Sequence, residues 1–81
     1  MKEITIDCSP LRSPKELHRV LAEKLEFPEY YGNNLDALYD CLTELGEDTH
    51  LTLLHLPDFS GFRETLTDAE ADNNCFTVTL L

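Results

Sequence analysis

The feature that most restricts the fold lies in the C-terminal part of the sequence. Thr49 to Leu56 and Cys75 to Leu81 are dense in leucine, β-branched and aromatic residues and read as strands. Between them Phe59, Phe62, Leu66 and Ala69 recur at three- and four-residue spacing, as one face of a helix does. About 19 residues, Pro57 to Cys75, separate the two strands, more than the dozen or so that a crossover between parallel neighbours requires. The pair is therefore predicted to lie parallel, joined by a right-handed helical crossover. Pro57-Asp58 ends the first strand, and Asn73-Asn74 can stop the helix near Ala71 or Asp72.

The N-terminal half supplies a third strand and two more helices. Met1 to Cys8 alternates apolar and polar residues, which predicts a strand over Ile4 to Cys8. Ser13-Pro14-Lys15-Glu16 then combines an N-cap serine, a proline at the first helical position and a glutamate three residues after the cap. Leu17, Val20, Leu21 and Leu25 give the following helix one apolar stripe, with Phe27 closing it and His18 expected at the surface. A second helix is predicted from Asn34 to near Gly46. At 81 residues there is room for one core, since about 60% of the unfolded surface is buried at this size. The element order predicts an α/β fold, a small three-stranded parallel sheet packed with about three helices, in one domain over residues 1–81.

The second helix is the least explained by folding. Pro28 fixes its own φ, Gly32 is expected to take the positive φ of a sharp turn, and Asn34 can cap the helix. Leu35, Leu38, Leu42 and Leu45 sweep one side together with Cys41; Asp36, Asp40, Thr43 and Glu47 fall opposite, with Tyr39 at the flank. A charged helix face is most often simply solvated. Asp36 stands in the first turn, where the helix dipole favours a carboxylate by roughly 0.3–1 kcal/mol. Asp40 has no such support, is a poor helix former and meets a like charge four residues back. Glu44, Glu47 and Asp48 then crowd the C-terminal end, against the dipole.

Several classes of function are disfavoured. Six Lys and Arg against sixteen Asp and Glu give a formal charge of −10, which repels phosphate backbones and attracts basic proteins, so no direct nucleic-acid contact is expected. No apolar run reaches the roughly 18 residues of a membrane span, and the N-terminus lacks the apolar core of a signal peptide, so a cytoplasmic location is expected. Cys8, Cys41 and Cys75 are an odd set without a C-x-x-C spacing, and they are expected to be reduced and partly buried. The chain has no nucleophile elbow, zinc-helix motif or glycine-rich phosphate loop, and His18, His50 and His55 lie on different elements. Neither catalysis nor a cofactor is expected. Asp68, Glu70 and Asp72 alternate like the start of a calcium loop, but Asn73 and Thr79 stand where its glycine and glutamate belong, so no metal is expected either.

The run Pro28-Glu29-Tyr30-Tyr31-Gly32, with Asn34-Leu35-Asp36-Ala37-Leu38 and Asp40, Leu42 and Thr43 after it, closely resembles a segment of the barstar family. These are bacterial intracellular inhibitors of secreted ribonucleases. Beyond Pro28 to Thr43 the resemblance is one of layout, and it weakens after Leu56. The family has tryptophan in place of Tyr39, a glycine and a second tryptophan after the position of Thr43, and two helices between its last strands where this interval holds only one. The resemblance implies a partner-binding surface anchored on Asp40, with Asp36, Tyr30, Gly32, Asn34, Tyr39 and Thr43 around it. Tyr31 is expected instead to seal the turn onto the core. The family's glutamate on its last helix is matched by Glu64, Asp68 or Glu70, with Asp68 aligning best. The implied partner is a small basic extracellular ribonuclease and the free protein is expected to be a monomer. An immunity protein for another basic nuclease, or a binding domain that has lost inhibition, would share the same fold.

Overall fold

The computed structural model describes all 81 residues. Six elements follow in the predicted order: β1 (Lys2–Asp7), α1 (Pro14–Leu25), α2 (Leu35–Thr43), β2 (Thr49–Leu54), α3 (Phe62–Asp72) and β3 (Phe76–Leu80). The strands form one sheet in the order β1-β2-β3, with both pairings parallel. Ile4, Leu51 and Val78 lie side by side across it, as do Ile6, Leu53 and Leu80. This face packs with Leu17, Leu21 and Leu25 of α1, Leu38 and Leu42 of α2, and Phe62, Leu66 and Ala69 of α3 in one buried cluster. Burying these leucines and phenylalanines contributes about 1.5–3 kcal/mol each.

The opposite sheet face carries Glu3, Thr5, Asp7, His50, Thr52, Leu54, Thr77 and Thr79 and is polar but for Leu54. One polar face is uncommon for a parallel sheet, and it explains why β1 and β3 alternate apolar with polar residues. His50 spans this face. Its Nδ1 lies 3.3 Å from Glu3 Oε1 and its Nε2 lies 2.8 Å from Thr79 Oγ1, so the ring ties all three strands together.

Element ends move where the backbone turns left-handed. β2 stops at Leu54 rather than Leu56 because His55 adopts φ 57°. α3 begins at Phe62 rather than Phe59 because Gly61 before it has φ 85°. α2 ends at Thr43, short of Gly46. In the turn before α2 the left-handed residue is Asn33, at φ 53°, and not Gly32 as expected; asparagine tolerates that region better than other side chains. The start of α1 matches its sequence signal. Glu16 donates its N–H to Ser13 Oγ at 3.3 Å, while its carboxylate accepts from the Arg12 N–H at 2.9 Å.

His18, expected at the surface, is only 4% exposed. Its Nδ1 lies 2.6 Å from the Tyr31 hydroxyl, and its ring packs 4.8 Å from that of Phe62. Tyr31 is buried as expected and stacks on Phe27 at 4.9 Å. Phe27, Tyr31, His18 and Phe62 thus join the turn before α2 to both α1 and α3.

Two stability predictions follow. A Cβ at Gly61 would stand 2.3 Å from Leu35 Cδ1 on a backbone that already disfavours L side chains. Gly61→Ala should therefore lower unfolding free energy by about 1–3 kcal/mol in denaturant melts, whereas Gly46→Ala, where nothing lies within 4 Å, should change it little. Burial lowers the His18 pKa below its ordinary 6.5, so the unfolded chain binds the proton more readily. The contribution of the neutral ring is complete above pH 6.5 and is lost as pH falls from 6.5 through the lowered folded value, at up to about 1.4 kcal/mol per pH unit. In His18→Gln this slope should disappear.

Candidate functional site

Position and rigidity of the turn come first. Phe27 and Tyr31 fix it from inside, so Tyr30 is thrown outward and is 88% exposed, the most exposed aromatic in the chain. Asn34 then starts α2, accepting the Ala37 N–H on Oδ1 at 2.8 Å and donating its amide to the Gly32 carbonyl at 3.3 Å. Gly32 itself is exposed, and a Cβ there would meet the Asn34 amide at 3.0 Å. A groove of about 370 Å³ runs between this turn and α2, lined by Tyr30, Gly32, Asp40, Cys41 and Glu44 among others.

α2 presents what its sequence predicts. Asp36 and Asp40 are exposed one turn apart, Leu38 and Leu42 are buried behind them, and Tyr39 and Thr43 lie at the boundary. Thr43 Oγ1 donates to the Tyr39 and Asp40 carbonyls at 2.9 and 3.1 Å, within its own helix. The ion pair of Lys2 with Glu26 and the His50–Glu3 contact both lie away from α2.

α3 completes the surface. The Tyr39 hydroxyl donates a hydrogen bond to the carboxylate of Asp72, which sits one turn beyond Asp68. That bond, some burial of the ring, and the charges of Asp72, Asp68 and Asp40 hold the Tyr39 phenol above its ordinary pKa of 10. Asp68 is thereby placed beside α2. Glu70 is not: it turns to the sheet, where its Oε2 accepts the Val78 N–H at 2.8 Å. Asp72 was missed in the sequence, although its i+4 spacing from Asp68 on a predicted helix puts both on one face.

The end of α2 also depends on α3. Asp40, Glu44 and Glu47 oppose the helix dipole, and no basic residue stands in the last turn. The Asn73 side-chain amide offsets part of this by donating to the Leu42 and Leu45 carbonyls at 2.9 and 3.0 Å. The Leu42 carbonyl, which also accepts from the Glu44 and Leu45 N–H groups, and the Leu45 carbonyl just beyond the helix thus gain a partner from a neighbouring element.

Chemically, this surface accepts hydrogen bonds and offers almost no donors. Asp36, Asp40 and Asp68 are carboxylates, the Tyr39 and Thr43 protons are already donated, and one of the two Asn34 amide protons is engaged. Such a surface suits a cationic partner rich in N–H donors. No group of three or more His, Cys, Asp or Glu side chains is arranged to hold a metal ion, and no helix is long and apolar enough to cross a membrane.

The Tyr39–Asp72 bond makes a prediction that spectroscopy can read. In a 295 nm absorbance titration two of the three tyrosines should ionise above pH 10, Tyr31 because it is buried and Tyr39 because of its bond to Asp72, and Asp72→Asn should lower the Tyr39 step alone.

The chain is similar to known proteins over most of its length. A family model described as Barstar (barnase inhibitor) matches residues 1–78. A Bacillus subtilis (strain 168) protein named "Putative ribonuclease inhibitor YrdF" is 45% identical over 73 residues, covering 90% of this chain and 77% of that protein.

Proposed function

The chain belongs to the barstar family, and we propose that it inhibits a small, basic, secreted ribonuclease. It acts in the cytoplasm of the cell that makes the enzyme or meets it, covering the active site with α2 and the turn before it. The family and the relative's name point to an inhibitor rather than an enzyme. Burial agrees, pushing the Cys8 and Cys41 thiols up and away from the reactive thiolate.

The observation that carries the reading is the unneutralised acceptor surface centred on Asp40. An enzyme that cleaves RNA must hold a phosphate, and it does so with arginine, lysine and histidine in a concave pocket. Asp40 stands on a convex helix, free of any ion pair, where its carboxylate can take the place of that phosphate. Asp36 and Asp68 extend the charge, Tyr30 and Tyr39 give rigid contact area, and Gly32 leaves room for close backbone approach. Asn34 and Thr43 stand at the rim; Asn34 donates one amide proton to the Gly32 carbonyl and keeps a second, and the Thr43 hydroxyl proton is committed within α2 while its oxygen can still accept. Occupation of the pocket inhibits without any chemical step.

Titrating RNA cleavage by a small basic bacterial ribonuclease tests this. Wild type should inhibit stoichiometrically. Asp40→Ala should keep its fold and weaken binding by about 2–5 kcal/mol, roughly 30-fold to several-thousand-fold. Raising the salt should slow association much more than it speeds dissociation. Equal inhibition by the two proteins would remove Asp40 as anchor. Absence of inhibition by both, with binding to a basic deoxyribonuclease instead, would replace the ribonuclease by another nuclease toxin.

A further inference from the structure

The sheet ends in two free edges, and the chain protects them by different means. In β1 the N–H groups of Lys2 and Cys8 bond toward β2, so Glu3, Thr5 and Asp7 direct their backbone groups outward. If two copies paired along this edge, antiparallel about Thr5, Glu3 of each would face Asp7 of the other. Like charges directly opposite destabilise such a ladder, and the Asp7 carboxyl is held below its usual range by hydrogen bonds from Ser9, so its charge persists. The β1 edge repels itself.

The β3 edge has no such charges. Residues 75–81 read Cys-Phe-Thr-Val-Thr-Leu-Leu, without a charged residue, proline or glycine, a composition prone to strand pairing. Thr49 donates to the Cys75 carbonyl and Leu81 to Leu53, so alternation turns the backbone groups of Phe76, Val78 and Leu80 outward. Antiparallel pairing of two copies about Val78 would set Phe76 against Leu80, Thr77 against Thr79, and Val78 against itself. Its central bonds would run from each Val78 N–H to the other Val78 carbonyl. That N–H is taken: Glu70 of α3 accepts it at 2.8 Å, in a partly buried position. Phe76, in the same row, has its N–H on the Asn73 carbonyl at 3.1 Å, while Leu80 has no such partner.

We infer that the β3 edge is a strand-pairing surface for a second copy of this chain, kept shut by the Glu70 carboxylate. Glu70 fills the hydrogen-bonding position at the centre of the pairing and sets a charge on an otherwise uncharged strand. Strand edges left open in this way invite association, and inward-turned charges are one way of closing them. The inference stands apart from the inhibitory surface, because Glu70 faces the sheet and not α2.

Sedimentation velocity over a concentration series tests it, with circular dichroism on every variant to confirm folding. Wild type should remain monomeric. Glu70→Ala should self-associate, with a dissociation constant at least about tenfold lower than that of wild type. Glu70→Gln, which keeps an acceptor for the Val78 N–H, should fall between them. Adding Val78→Pro to Glu70→Ala should restore the monomer, because proline removes the central donor from an edge position that tolerates it. A monomeric Glu70→Ala, a wild type that already pairs through β3, or association that survives Val78→Pro would each overturn the inference.

Discussion

The surface of this protein depends on an aromatic contact buried beneath it. His18 and Tyr31 share a hydrogen bond of 2.6 Å, with Phe62 against the imidazole and Phe27 against the phenol. One of these residues comes from α1, one from α3, and two flank or form the turn before α2. Packing of this kind leaves the turn little freedom, so Tyr30 points to solvent because Tyr31 cannot. A neutral imidazole is required, since a buried cation here would have no carboxylate to face. The exposed acidic surface thus rests on a neutral polar pair inside the core.

The same division appears in α2. Its buried side is ordinary, with leucines at helical spacing in the shared core and against α3. Its exposed side is electrostatically unfavourable for the helix, with Asp40 opposite Asp36 at four-residue spacing and acids where the dipole prefers cations. What the helix loses there is offset from outside, by Asn34 at one end and the Asn73 amide at the other. A helix stabilised through its buried side and its ends can keep an exposed face that folding alone would not select.

Much of this was legible in the sequence because it is periodic. Strand alternation, leucine stripes and cap signals gave six elements in the right order, and the crossover length gave their parallel sense. What escaped depended on partners far along the chain. His18 neighbours the stripe of Leu17 and Leu21, and nothing local shows that Tyr31 and Phe62 will enclose it. The left-handed residue of the turn was assigned to Gly32 on propensity, but Asn33 adopts it and Gly32 does not. The second acid of α3 facing Tyr39, Asp72, was visible as a spacing but not as a contact. Glu70 aligns with the exposed surface less well than Asp68 but within two residues of it, and the packing of α3 on β3 turns it to the sheet instead.

The Asn73 amide has a kinetic consequence. It closes the end of α2 through bonds to carbonyls 31 and 28 positions earlier in the chain. Contacts of that separation carry a loop-closure entropy that local helix formation does not, and they form in the slower stage of folding. The first turn of α2 is held by Asn34 from within its own segment, whereas its far end is tied down by a residue beyond α3. The two ends of the acidic surface therefore depend on the rest of the fold differently, locally at Asn34 and over 31 and 28 residues at Leu42 and Leu45.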